Sequence, residues 1–163
     1  MAFEIDRQTG TIKDKITGER CIIITQARLQ EIFSRLSEIF QSGATVIIYE
    51  ACKAAGKRFI EETSEKTKND KELILKTAVQ RFTDAGLGKI KVIEFNLEET
   101  EVKFRIWNNF FAEIRCGDAS YCNCIEGFVS GMYEQVMHET PKIKETKCVR
   151  KGNPYCEWQM TAK

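Results

Sequence analysis

Seven cysteines and a single histidine carry most of the chemistry open to this chain. Cys148 and Cys156 stand eight residues apart around Gly152-Asn153-Pro154, with Glu145 three residues before the first. If the turn centres on Gly152, the two cysteines face each other across an antiparallel pair, with Cβ atoms about 4.5–5.5 Å apart. Two thiolates at ~2.3 Å from one tetrahedral zinc have sulfurs just under ~4 Å apart, which that spacing can supply. A structural zinc takes four ligands. Glu145 offers an oxygen, but in a regular strand it shares the face of Ile143, opposite Cys148. A bulge or bend between Glu145 and Cys148 is needed to bring carboxylate and thiol together. The remaining ligand is Cys122 or Cys124, at the start of a helix whose N-terminus favours a thiolate.

The whole chain constrains how those thiols are used. Its 163 residues, 42% hydrophobic with ten Phe and two Trp, suit one domain (1–163) with a core of its own. The 25 basic and 24 acidic residues nearly cancel, so neither nucleic acid nor an anionic membrane is the expected partner. The opening MAFEIDRQTG has charges where a signal peptide needs an apolar run, and no apolar stretch is long enough to span a bilayer. The expected location is cytoplasmic. An odd number of cysteines in a reducing compartment argues against a disulfide framework and for metal ligation by the clustered ones. Isolated Cys21 and Cys52 read as small buried hydrophobes.

The elements that must position these residues follow from periodicity. Phe3 and Ile5, a turn at Gly10, then Thr11 and Ile12 read as a hairpin. A helix from Gln26 carries Leu29, Ile32, Phe33, Leu36, Ile39 and Phe40 on one face, and Gly43 is its expected stop. Helical spacing of Ile47, Ile48, Ala51, Ala55 and Phe59 predicts a second helix from about Ala44 to Glu62. Its Ala51, Ala54, Ala55 and Gly56 permit close packing of another backbone. A third helix spans about Asp70 to Ala85, with Leu75, Ala78, Val79 and Phe82 inward and Gly86 as its stop. Two strands follow, KIKVIEFNLE and TEVKFRIWNN, joined by an acidic turn, with a parity change that predicts a bulge near Val92. A fourth helix, capped by Asp118 or Ser120, turns Ile125, Phe128, Val129, Met132 and Val136 inward. Gly127 and Gly131 form a second, small face on it. The strands PKIKETKCVRK and YCEWQM close the chain. Helices first and then antiparallel strands with one inserted helix make an α+β fold.

CNCIEGFVSG followed by ETKCVRKGNPYCEW resembles the 4-vinyl reductase domain, a small-molecule-binding module found alone in archaea and as the sensor of bacterial aromatic-responsive activators. Cys122, Gly127 with Phe128, Glu145, Cys148, Gly152, Cys156 and Trp158 match the family's pattern over roughly the last 45 residues. YEACKAAGKRF is similar to a family helix, with Cys52 where a glycine is usual. The resemblance implies zinc on Cys122, Glu145, Cys148 and Cys156, leaving Cys124 as an extra thiol. It also implies an antiparallel sheet packed against helices, as in ligand-binding domains of nitric-oxide signalling and subunits of the transport particle, and a homodimer.

Three functions are then in play. The first is a non-enzymatic, zinc-stabilised pocket for a small apolar or aromatic molecule, with Phe104, Trp107, Phe128, Met132 and Ile143 as candidate lining. The second is reduction of a tetrapyrrole vinyl group, as the family name suggests. No nucleotide loop supports it: Gly86-Leu87-Gly88 lacks a third glycine and precedes a strand, and His138 sits at the polar end of a helix. The third is an assembly scaffold similar to transport-particle subunits.

Overall fold

The computed structural model describes residues 2–68, 70–96, 100–116, 119–120 and 122–162. The expected cap Asp118, the Ser120 side chain and residues 97–99 of the acidic turn lie outside what is described. A small N-terminal sheet is formed by β1 (Phe3–Asp6), β2 (Thr11–Asp14) and β3 (Arg20–Cys21). Three helices follow: α1 (Gln26–Phe40), α2 (Gly43–Thr67) and α3 (Lys71–Asp84). Next come β4 (Lys89–Asn96), β5 (Glu101–Trp107), the one-turn α4 (Phe110–Glu113), and the short pair β6 (Arg115–Cys116) and β7 (Ala119–Ser120). The chain finishes with α5 (Cys122–Met137), β8 (Pro141–Lys147) and β9 (Cys156–Ala162). The main sheet has order β4-β5-β9-β8 and is antiparallel throughout. The fold is α+β, an antiparallel sheet packed against helices. Among the described residues, no helix is long and apolar enough to cross a membrane.

In β5 the alternation of Val102, Phe104 and Ile106 with Lys103, Arg105 and Trp107 turns the first set into the core. Phe104 stacks on Trp158 of β9 at 5.4 Å, and Ile125 and Val129 of α5 pack in the same cluster. The bulge expected near Val92 is present, between Val92 and Glu94. Strand β3, the helix α4 and the β6–β7 pair were not expected from the sequence.

Two helix boundaries differ from the pattern. Helix α1 ends at Gln41, whose left-handed φ of 47° and N–H bond to the Ser37 carbonyl close the helix before Gly43 is reached. Gly43 instead opens α2. Helix α2 runs five residues past Glu62, to Thr67, because its threonines bond inward. The Thr63 hydroxyl donates to the Phe59 carbonyl at 2.7 Å and the Thr67 hydroxyl to the Thr63 carbonyl at 3.0 Å.

The N-terminal sheet is held to the helices by charge. Asp14 meets Arg81 at 3.2 Å, and Arg81 also donates to Glu62 (3.2 Å), the Thr63 hydroxyl (2.6 Å) and the Phe59 carbonyl (3.0 Å). Arg81 is only 7% exposed, and four hydrogen bonds satisfy most of its guanidinium in that buried setting.

Helix α5 crosses α2 with backbones in contact. Gly127 faces the Tyr49 carbonyl, Gly131 the Lys53 carbonyl, and Gly56 the Phe128 carbonyl, each leaving no room for a Cβ. The same crossing places the Cys52 and Cys124 Cα atoms 5.4 Å apart, and the two form a disulfide. This corrects two expectations: Cys52 is not a simple small hydrophobe, and Cys124 is not a spare thiol. The cause is tertiary, since residues 72 apart in sequence are aligned only by the glycine contacts.

Gly131→Ala should therefore separate the helices and lower stability by at least ~1–3 kcal/mol, the usual cost of overpacking, read from denaturant unfolding. Reducing the Cys52–Cys124 bond, or Cys52→Ser, should cost roughly 2–4 kcal/mol, since a long loop is released in the unfolded chain. Identical melting with and without reductant would show that the bond adds nothing.

Candidate metal centre and cavity

The final hairpin builds the first site. Between Glu145 and Lys147 the β8–β9 register slips by one residue, so that Glu145 faces Trp158 and Lys147 faces Glu157. The bend thus lies where the sequence required it, and the register beyond it carries Cys148 toward Cys156. A 3-10 turn over Val149–Lys151 follows, closed by Gly152 at φ 83°. The Cys148 carbonyl accepts from Lys151 N–H (3.0 Å), Asn153 N–H (3.3 Å) and the Asn153 side chain (3.1 Å), which pins the thiol's backbone. Cys156 pairs with Ile106 in the sheet. Cys122 enters from the first residue of α5.

The ligand atoms of Cys122, Glu145, Cys148 and Cys156 all lie within 4.8 Å of one another. The Cys122 and Cys148 sulfurs are 3.7 Å apart, and all three thiols are at most 5% exposed. Hydrogen bonding with Cys122, helped by Val149 N–H, Asn109 and Cys148, lowers the Cys156 thiol to about 6 against the effect of burial. Burial pushes Cys148 up to about 11. The protein alone thus favours the thiolate at Cys156 and opposes it at Cys148, and a cation is what would let Cys148 ionise as well. Glu145 Oε1 is buried without a hydrogen-bond partner in the same pocket. An orphaned carboxylate oxygen beside three buried thiols fits a divalent metal ion of the kind that accepts sulfur ligands.

Two surrounding residues were not anticipated. Asn109, 1% exposed, caps α4 by accepting from Phe111 N–H at 3.1 Å. Its amide nitrogen lies toward Cys156 yet meets no partner with hydrogen-bond geometry. Glu126, one turn along α5 from Cys122, accepts from the Trp158 indole N–H at 3.2 Å. Burial raises its carboxyl above the ordinary range against that bond, and Glu145 adds to the rise. The WNNFFAE stretch carried a capping signal for Asn109; nothing local marks Glu126.

The second feature is a cavity of ≈ 70 Å³ between the main sheet, α3 and α5. One water needs ~10–15 Å³ by a comparable measure, so the space is several waters large. Phe104 and Met132 line it, as do the inward residues of α3: Leu75, Ala78, Val79 and Phe82. Trp107, Phe128 and Ile143 lie elsewhere. Trp107 is on the outer face of the sheet against Tyr155 (5.3 Å), Phe128 turns toward Phe59 (5.3 Å), and Ile143 of β8 pairs with Met160 of β9. His138 is exposed just past α5, at φ 59°, its N–H bonded to the Glu134 carbonyl at 2.9 Å. It closes the helix.

No protein-family model and no curated protein matches the sequence. Solved structures do match the fold. The phenol-responsive sensory domain of the transcription activator PoxR, solved with phenol, superposes with a TM-score of 0.80 at 16% identity, over 99% of this chain and 85% of that one. A trafficking protein particle complex subunit 3 from Naegleria fowleri, covalently bound to palmitic acid, gives 0.55 at 15% identity, over 85% of this chain and 95% of its own. A vinyl-4-reductase family protein from Methanocaldococcus jannaschii gives 0.54 at 16% identity, over 88% and 84% respectively. At these identities the likeness is one of fold.

Metal ligation requires deprotonated thiols, so affinity must fall with pH. Metal affinity, measured against a competing chelator, should weaken progressively between pH 7.5 and pH 5 as protons compete for the thiols. Competition titrations read by elemental analysis measure this; an affinity that does not change with pH would exclude thiolate ligation.

Proposed function

We propose that this chain is a non-enzymatic receptor domain, clamped by zinc, that binds a small apolar or aromatic molecule and hands the signal to another protein. The observation that carries the reading is the apolar cavity walled by α5, with the thiol cluster at the start of the same helix. Zinc would be held by Cys122, Glu145, Cys148 and Cys156. Four protein ligands supply a structural tie and leave no open position for chemistry. The similarity to the phenol-responsive domain of PoxR supports a sensor, in keeping with the family resemblance in the last 45 residues. A vinyl reductase needs a proton donor at its substrate, and among the described residues the titratable group in the cavity wall is Tyr133, whose hydroxyl donates to the Thr100 carbonyl at 2.6 Å. The location we assign is cytoplasmic.

The receptor is assigned as a homodimer. Helix α1 is strongly amphipathic yet has no buried residue. Ile32 (50% exposed), Ile39 (57%), Phe40 (48%), Val46 (63%) and Ile47 (41%) stand open to solvent around the α1–α2 connection. Apolar surface of that kind marks an interface. It also favours, as a second reading, the scaffold suggested by the trafficking-particle subunit.

Native mass spectrometry of protein purified without added metal separates these readings. Near-stoichiometric zinc and a dimer are expected, and iron with brown colour would point to a cluster instead. Ring-sized apolar compounds should raise the melting temperature, as ligands that bind only the folded state do. Cys148→Ala should lose the metal and lower the melting temperature. Turnover of a bound compound with a nicotinamide or flavin reductant would overturn the binding-only reading, and a stoichiometric foreign protein would put the scaffold first.

A further inference from the structure

We infer that the ligand of this cavity carries no hydrogen-bonding group on the part it buries, so that the site selects hydrocarbons over phenols and alcohols of the same size. This rests on the receptor reading above and narrows it. The wall is built of aliphatic, aromatic and methionine side chains, and hardly any polar surface reaches the partly open space between them. Among the described wall residues, Tyr133, 4% exposed, is the one with a side-chain oxygen or nitrogen, and its proton is committed to the Thr100 carbonyl at 2.6 Å. That bond turns the hydroxyl toward the β5 end of the sheet and leaves the ring to face the ligand. Met132, Met137 and Met160 add adaptable sulfur-bearing walls, which accept varied apolar shapes without offering a strong partner. The half-buried members Leu75, Val79, Phe95 and Val136 carry the apolar character to the solvent side. A polar group must therefore lie outside them, in water.

A hydroxyl brought into such a space gives up its bonds to water and receives none in return. Apolar pockets discriminate against an added hydroxyl by about 10- to 100-fold on this account. Toluene and phenol differ by a methyl for a hydroxyl at nearly constant volume, so their ratio isolates the effect.

The test measures the dissociation constants of toluene and phenol for the full chain by titration calorimetry. Toluene is expected to bind at least ~10-fold more tightly. Val102 lines the cavity from β5, and Val102→Thr places a hydroxyl in the wall at almost unchanged volume. It should narrow the ratio by strengthening phenol. Tyr133→Phe should leave the ratio unchanged, since the hydroxyl faces away from the ligand. Phenol binding as tightly as toluene, or a loss of phenol binding confined to Tyr133→Phe, would overturn the inference while leaving a receptor in place. If neither compound binds, the receptor reading falls and this inference falls with it.

Discussion

The backbone-to-backbone crossing of α2 and α5 is the constraint on which the rest depends. Gly127, Gly131 and Gly56 remove the side chains that would hold the helices apart, and carbonyls of the facing helix fill the space. Close approach fixes the height and rotation of α5 over the sheet. Rotation decides which residues face the cavity, and height decides where Cys122 meets the final hairpin. Glu134 reinforces the contact with ion pairs to Lys53 (2.5 Å) and Lys57 (2.7 Å) from the facing helix. The Cys52–Cys124 bond lies on the same seam, three residues from both Tyr49 and Gly127, and adds a covalent tie where packing is already tight.

The thiol cluster is a site that could hold a metal ion. Three buried sulfurs and a carboxylate oxygen lie within one ligand's reach of each other, and local hydrogen bonds favour ionisation of Cys156 while burial opposes that of Cys148. Glu126 close by is pushed toward its neutral form by the same low-polarity setting. A cation would convert that tension into a clamp joining α5 to β8 and β9, elements far apart in sequence. Binding free energy at such a clamp becomes folding free energy.

Much of this was legible in the residues. The small residues of α2 permitted a closely packed backbone and Gly127 and Gly131 marked a small face on α5, though not that the two meet, and the offset of Glu145 from Cys148 required the bend that β8 contains. The inward residues of α3 line the cavity as their 3.6-residue spacing implies. Other features depend on tertiary register that a linear pattern does not hold. Phe128 has the spacing of the cavity face but turns to Phe59, because Gly127 beside it pulls that edge of α5 onto α2. Trp107 follows strand parity to the outer face. The cysteine pairing needed two positions 72 residues apart to be aligned. Gln41 took the left-handed position that glycine at 43 seemed reserved for, since a cap is set by where the next helix must go.

Helix α5 also explains why one element serves both features. Cys122 opens it and Val136 and Met137 close it, roughly 20 Å apart along the axis at 1.5 Å per residue. Its start is tied by the thiol cluster, its length by the glycine seam, and its inner face is held against β5 and β9. The cavity wall on that side is therefore rigid. The opposite wall is α3, which is anchored near its end through Arg81 and begins at the Asp70 cap with Leu73 46% exposed. The Arg81 network links α3 to Asp14 and so to the N-terminal sheet.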